Sequence, residues 1–338
     1  MTGIAPNAPY VLTAGGTGGH LFPAQALAEE LLRRGRTPVM ITDERGSRMA
    51  ARLPDMDVFT IAAAAPVGGL IGKLRAALML MRGARQARSL LTRLQPAAVV
   101  GFGGYASLPA VWVAQRRGIP TVLHEQNAHL GRANRLLAKK ARALALSFAE
   151  TRAAPADATL VGNPVRTAVT EAGIAPYRAP DPRGDDPIHL LVFGGSQGAR
   201  VFSDAVPGAL ADLPVSFRSR IHLTQQARPE DLDRVRQACK DGGVTAEIAP
   251  FFHDMPARMA DAHLVIARAG ASTVAELTAA GRPSVLIPYP HAADDHQTAN
   301  AMALATAGGA WTVPDDRFDR GTCSRTIAAL LEDPAALT

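Results

Sequence analysis

The residues from Arg268 to Gln297 include a turn and a helix start of the kind that can bind an anion. His263–Ala267 reads as a buried strand, Gly270 allows a tight turn after it, and Thr273 and Glu276 have the spacing of a capping box at a helix start. A strand running into the amino end of a helix directs N–H groups and the positive end of the helix dipole outward. The stretch is therefore either a well-capped βα unit or the seat of a phosphorylated ligand. Similar glycine turns follow other strand-like runs: Gly15-Gly16-Thr17-Gly18-Gly19-His20, Gly101-Phe102-Gly103-Gly104-Tyr105-Ala106-Ser107 and Gly194-Gly195-Ser196-Gln197-Gly198. A further turn, His124-Glu125-Gln126-Asn127, carries a histidine and a carboxylate. The dinucleotide fingerprint fails, because the third glycine counted from Gly16 falls on Leu21, and no Walker-type G-K-[ST] occurs.

These turns need strands and helices to hold them. Tyr10–Ala14 reads as a strand, and Leu21–Arg34 has helical spacing closed by Gly35. Strand-like runs recur at Pro38–Thr42, Val58–Ala62, Ala97–Gly101, Thr121–His124 and Ala143–Ser147. Strands alternating with helices predict a parallel sheet covered on both faces, with function at the carboxyl ends of the strands. From Thr151 to Pro187 the pattern breaks into a proline- and glycine-rich zone that reads as a linker, with a boundary near Gly162–Arg166. We accordingly divide the chain into 1–163 and 164–338. The second half opens as the first did, with strand Ile188–Phe193, a glycine turn and helix Ala199–Leu210. Strands at Arg220–Thr224, Thr245–Ile248, Leu264–Ala267, Ser284–Ile287 and Ala310–Val313 complete it.

Gly69–Arg93 has helical spacing that places Leu70, Ile71, Leu74, Leu78 and Met81 on one face, flanked by Arg75 and Arg82. Two readings stand. The helix faces a core and ends in a solvated basic stretch, or the apolar face is exposed and suits an anionic membrane surface.

At 338 residues the chain exceeds one core, and the net charge of +6 calls for a partner carrying negative charge. Aromatic content of 5% argues against single-strand nucleic-acid binding by stacked rings. Two cysteines in unrelated contexts offer neither a disulfide framework nor a metal cluster and fit a reducing compartment. No signal peptide and no apolar run near the ~20 residues of a membrane helix is expected. The D-x-D matches Asp55-Met56-Asp57 and Asp231-Leu232-Asp233 fall at a strand start and in a charged helix, and read as chance.

GGTGGHLFPA, GFGGYASLP, HEQN, GNPVR, GGSQGAR and RAGASTVAEL occur in this order from Gly15 to about Asn300. Together they resemble the MurG family of UDP-N-acetylglucosamine transferases. The resemblance implies a GT-B α/β fold, with two Rossmann-like parallel-sheet domains facing across a cleft, the first for acceptor and membrane and the second for donor. It implies inverting transfer of GlcNAc from UDP-GlcNAc to the MurNAc C4 hydroxyl of lipid I, undecaprenyl-pyrophosphoryl-MurNAc-pentapeptide. The lipid II so formed serves cell-wall growth, and with it cell shape and division. No metal, no cofactor and no nucleic-acid partner is implied, and the protein is placed peripherally on the cytoplasmic face of the bacterial inner membrane.

By the same resemblance Thr17, Gly18 and Gly19 contact the donor, Asn127 and Gln297 the donor sugar, and Phe252 the base through its main chain. Arg166 and Ser196 contact the nucleotide and its phosphates. Ala271, Ser272, Thr273, Val274, Ala275 and Glu276 form the donor-binding helix start, with Glu276 on the ribose diol, whose two hydroxyls a carboxylate can accept. N–H groups at Ser196 and Ala271–Thr273, with Arg166, suit the charge developing on departing UDP. His20 is the candidate base, or else it binds acceptor pyrophosphate; Glu125 is the reserve base, or else a buried structural carboxylate. Gly103, Gly104 and Tyr105 are expected to cradle the acceptor pyrophosphate. Two departures from the family pattern stand out. His296 replaces a second glutamine, and the chain stops at Thr338 where relatives continue into a helix crossing back to the first domain. The alternatives to a lipid I transferase are another GT-B sugar-nucleotide enzyme, such as a soluble transferase or an epimerase, and a non-catalytic nucleotide-sugar binder.

Overall fold

Short apolar runs rich in Val, Ile and Leu, bounded by glycine and proline, favour strands buried on both faces. The computed structural model, which describes residues 8–50, 56–66, 68–195 and 198–338, has them in two sheets. The chain divides into two units, Met1–Arg166 and Thr167–Thr338.

In the first unit the order is β1 (Tyr10–Thr13), α1 (Gly18–Arg33), β2 (Pro38–Thr42), α2 (Glu44–Ala50), β3 (Asp57–Thr60) and α3 (Leu70–Leu94). There follow β4 (Ala98–Gly101), α4 (Ser107–Arg116), β5 (Thr121–Glu125), α5 (Arg132–Leu137), β6 (Ala143–Leu146) and β7 (Thr159–Leu160). The strands lie in the order β3-β2-β1-β4-β5-β6-β7, every pair parallel. Apolar clusters cover both faces, one around Val11, Ile41, Leu91 and Val111, the other around Leu12, Leu21, Met40 and Phe102.

The second unit runs α6 (Thr167–Ala172), β8 (Ile188–Phe193), α7 (Arg200–Ala211), α8 (Val215–Arg218), β9 (Ile221–Gln226), α9 (Leu232–Asp241) and β10 (Thr245–Ala249). It continues with α10 (Met255–Asp261), β11 (Leu264–Ala267), α11 (Ala271–Ala280), β12 (Ser284–Leu286), α12 (His296–Thr306), β13 (Ala310–Thr312) and α13 (Arg320–Glu332). Its sheet, β10-β9-β8-β11-β12-β13, is again wholly parallel. Each unit is thus Rossmann-like and the chain has a GT-B-type fold. Strand order reverses between β1 and β4 in one sheet and between β8 and β11 in the other, the places where such sheets bind ligands.

Two expectations change. The zone expected to be a linker carries β7 and α6, with Val169 buried and Gly173 packed against Ala279. Elements of two and six residues are too short to leave a periodic signal. The first helix begins at Gly18 rather than Leu21, because the paired glycines form its first turn.

The 25-residue helix α3 is anchored by its small side, where Ala76, Gly83, Ala87 and Leu91 are buried. A Cβ added at Gly83 would overlap the Ala62 carbonyl oxygen, and the Ala62 N–H donates to Gln86 Oε1 at 2.7 Å. Glycine to alanine inside a helix ordinarily stabilises by about 1 kcal/mol. Here the backbone contact reverses the sign, and Gly83→Ala is expected to destabilise by about 1–3 kcal/mol in urea unfolding. A gain in stability would show that α3 is not seated so closely.

Candidate functional site

In the first unit β1 and β4 end side by side, with Thr13 opposite Gly101. The two turns beyond them cross at once. The Gly15 N–H donates to the Gly103 carbonyl at 3.1 Å, and a Cβ added at Gly104 would stand 2.8 Å from Gly15 Cα. Gly103 and Gly104 have φ of +84° and +75°, so both the close approach and the backbone conformation require glycine. Thr17 is the exposed N-cap of α1 and makes no side-chain cap bond, while Gly18 and Gly19 open the helix. His20 is its third residue, with its imidazole against Gly103 and Gly104. Its Nδ1 is 2.9 Å from Gln126 Oε1 in the turn after β5. Tyr105 is half-buried in the same turn as the two glycines. His20, Gly103, Gly104 and the HEQN turn are therefore brought together.

Glu125 is only 2% exposed. Its Oε1 accepts from the Asn127 N–H at 3.1 Å and Asn127 Nδ2 at 3.3 Å. Its Oε2 accepts from the Gly131 N–H at 2.8 Å and Asn134 Nδ2 at 2.9 Å. A carboxylate with both oxygens filled by N–H donors is a loop fastener, and this geometry favours the structural reading of Glu125 over the reserve-base one. It also holds half-buried Asn127 in place.

In the second unit β8 and β11 end in register, with Phe193 opposite Ala267. Of the turn after β8, Ser196 lies outside the described residues. Asp55 of the first D-x-D match does so too. After β11 the capping-box expectation fails. The N-cap of α11 is Gly270, and Val274 N–H closes the first helical bond to its carbonyl at 2.9 Å. Thr273 and Glu276 are then the third and sixth helical residues. A Glu six places in is beyond reach of the N-cap N–H and turns to the buried side of the helix, where Glu276 is 7% exposed. Ala271 and Val274 are buried, whereas Ser272, Thr273 and Ala275 are half-buried.

Arg268, just before α11, reaches the carbonyls of Ile287 and Pro288 and pairs with Asp315 at 2.5 Å, fastening β11 to its neighbour. Gln297 lies at the start of α12, where its Oε1 accepts from the Tyr289 N–H at 3.0 Å. His296 precedes it with Nδ1 2.7 Å from the Ala293 carbonyl. Phe252 is buried beneath the Arg258 guanidinium, 4.3 Å from its ring centroid. Arg166, the last residue of the first unit, stacks over Phe22 at 4.3 Å. Asp231 of the second D-x-D match pairs with Arg228 and Arg234, and these arginines hold its carboxyl below the usual carboxylate range.

In the first three turns of α3 the large apolar side chains singled out in the sequence do not face a core. Leu70, Ile71, Leu74, Leu78 and Met81 are 84, 85, 62, 55 and 51% exposed, half a turn of the helical wheel from the anchored side. Arg75 and Arg82 are exposed beside them. For these five residues the core-facing reading is corrected: the packed face is made by Ala76, Gly83 and Ala87, with Leu91 near the helix end. α4, which packs on α3, exposes Trp112 with Arg116 stacked over its ring at 4.8 Å.

Both units match family models, residues 10–146 the glycosyltransferase family 28 N-terminal domain and 189–338 its C-terminal domain. A curated protein of Rhodospirillum centenum, named UDP-N-acetylglucosamine–N-acetylmuramyl-(pentapeptide) pyrophosphoryl-undecaprenol N-acetylglucosamine transferase, is 54% identical over 98% of this chain and 88% of its own length. The protein of the same name from Paramagnetospirillum magneticum is 52% identical over 96% and 89%. The crystal structure of Acinetobacter baumannii MurG superposes with a TM-score of 0.77 at 30% identity, covering 97% of this chain and 92% of that one. The chain belongs to the MurG family. MurG membership makes it a UDP-sugar glycosyltransferase and sets aside the epimerase and the non-catalytic binder.

Two residues of this MurG-family site lay outside the candidate set. Gln126 and His124 sit in the same turn as Glu125 and Asn127, and both are buried. HEQN signalled the turn, but not that its glutamine touches a histidine 106 positions away. The saturated carboxylate yields a prediction. Glu125→Gln sets an amide NH2 against N–H donors, and should cost about 2–3 kcal/mol in chemical denaturation. Unchanged stability would reopen the reserve-base role.

Proposed function

We propose that this chain transfers GlcNAc from UDP-GlcNAc to the MurNAc C4 hydroxyl of undecaprenyl-pyrophosphoryl-MurNAc-pentapeptide, with inversion at the anomeric carbon. The observation that carries this reading is identity above half, over nearly the whole chain, to transferases named for that reaction. The geometry supports it. Each sheet brings a glycine turn and a helix start to its switch point, the arrangement suited to diphosphates.

The second unit takes the donor. The start of α11 from Ala271 to Thr273, with Ser196, bears on the diphosphate; Glu276 accepts the ribose hydroxyls, and the Phe252 main chain meets the base. Gln297 contacts the donor sugar, and in the first unit Thr17, Gly18, Gly19, Asn127 and Arg166 are donor contacts. In the first unit Gly103, Gly104 and Tyr105 cradle acceptor pyrophosphate. As the C4 oxygen bonds to the anomeric carbon, the bond from that carbon to the diphosphate oxygen breaks and its electron pair leaves with UDP. The hydroxyl proton goes to His20. N–H groups and the helix dipole stabilise the leaving charge without a metal.

The protein sits on the cytoplasmic face of the plasma membrane through α3. The exposed Leu70, Ile71, Leu74, Leu78 and Met81, flanked by Arg75 and Arg82, form an apolar patch with a basic rim. No helix among the described residues is long and apolar enough to cross a membrane.

With UDP-GlcNAc, a lipid I analogue and EDTA, GlcNAc transfer is expected. UDP binding without transfer would sink the proposal. Glu276→Ala should weaken apparent UDP-GlcNAc affinity by about 1.5–3 kcal/mol, roughly ten- to hundredfold. Unchanged affinity would remove Glu276 from the ribose. Leu74→Asp with Leu78→Asp should abolish co-sedimentation with vesicles containing anionic lipid while transfer to a water-soluble acceptor persists. Undiminished sedimentation would discard the α3 patch.

A further inference from the structure

The proton that His20 takes must find an empty nitrogen, and a chain of hydrogen bonds in the first unit decides which one that is. It begins at two backbone carbonyls, which can only accept. His124 Nε2 lies 3.0 Å from the Gly162 carbonyl, so Nε2 carries the proton and donates. Burial pushes His124 below the ordinary imidazole value, which favours the neutral ring with a single N–H. Its Nδ1 is then an acceptor.

Gln126 Nε2 lies 2.9 Å from that Nδ1 and 2.9 Å from the His124 carbonyl. Both are acceptors, so the amide nitrogen must face them. The amide cannot be turned round without setting an oxygen against a carbonyl. Gln126 Oε1 is therefore the atom presented to His20, whose Nδ1 is 2.9 Å away. An amide oxygen only accepts, so His20 Nδ1 bears the hydrogen.

We propose that Gln126 and His124 are positioning residues that hold His20 as its Nδ1–H tautomer, leaving Nε2 as the nitrogen that receives a proton. Among the described residues Nε2 has no hydrogen-bond partner, and the ring is partly exposed. Gly103 and Gly104 lie against the ring, and a Cβ at either would stand 3.3 or 3.2 Å from its carbons. The turn that cradles acceptor pyrophosphate in our reading thus also leaves room for the histidine in the required orientation. The tautomer is set by the hydrogen bonds alone; its use in catalysis rests on the reading of His20 as base.

The test is long-range 1H–15N correlation NMR of the full chain with 15N-labelled histidine, the His20 signals being assigned by their loss in His20→Ala. In its neutral form His20 should show a protonated Nδ1 and an unprotonated Nε2. An Nε2–H tautomer in the unsubstituted protein would overturn the proposal, whatever the variants do. Gln126→Leu should release the Nε2–H form and lower kcat at least about tenfold, with KM for UDP-GlcNAc within about twofold. His124→Leu should have the smaller effect, because the His124 carbonyl still orients the amide. If His20→Ala turned over normally while the Nδ1–H tautomer was observed, the base role would fall and the relay would stand.

Discussion

The structure depends on two parallel strand pairings, β1 with β4 and β8 with β11. Each ends in register, Thr13 against Gly101 and Phe193 against Ala267. A parallel pairing at a reversal of strand order sends two chains off the same edge in opposite directions, and leaves a crevice where they part. In the first unit that crevice receives the turns carrying His20 and Gly103-Gly104. In the second it receives the turn after β8 and the start of α11. Residues far apart in sequence become neighbours because the sheet leaves them no other place to begin.

Local packing then serves the crevice. Glycines at 15, 103 and 104 let two backbones cross at contact distance and leave room for an imidazole. Glu125 commits its carboxylate to the loop that carries Asn127, a use that competes with proton transfer. The same division of labour appears on α3. Ala76, Gly83 and Ala87 seat the helix closely, and Leu70, Leu74 and Leu78 on the opposite side point away from the unit. An apolar face left outward beside arginines suits the interface between headgroups and acyl chains.

Much of this was legible in the sequence, because strands such as β1, β2, β8 and β11 are short apolar runs and the helices α1 and α3 have a clear period. The glycine turns marked where the chain parts from each sheet. Three features were not legible. α11 begins at Gly270, so Glu276 lies too deep to cap; a capping box depends on where the first helical bond closes, and spacing alone does not fix that. β7 and α6 are too short for periodicity. The link from His20 through Gln126 to His124 joins residues 106 apart, and only the β1–β4–β5 order brings them together. The apolar stripe of α3 was visible, but its direction was set by small residues on the opposite side, whose packing no hydrophobic pattern reports.

The central claim is that ligand chemistry is confined to the strand ends at the two switch points. Backbone amide shifts of the 15N-labelled chain during titration with UDP test it most directly. The largest changes should fall in the turn from Gly194 to Gly198 and from Gly270 to Glu276, at the carboxyl ends of β8 and β11. Changes concentrated instead at the opposite edge of that sheet, around His189, His222 and His263, would contradict the account.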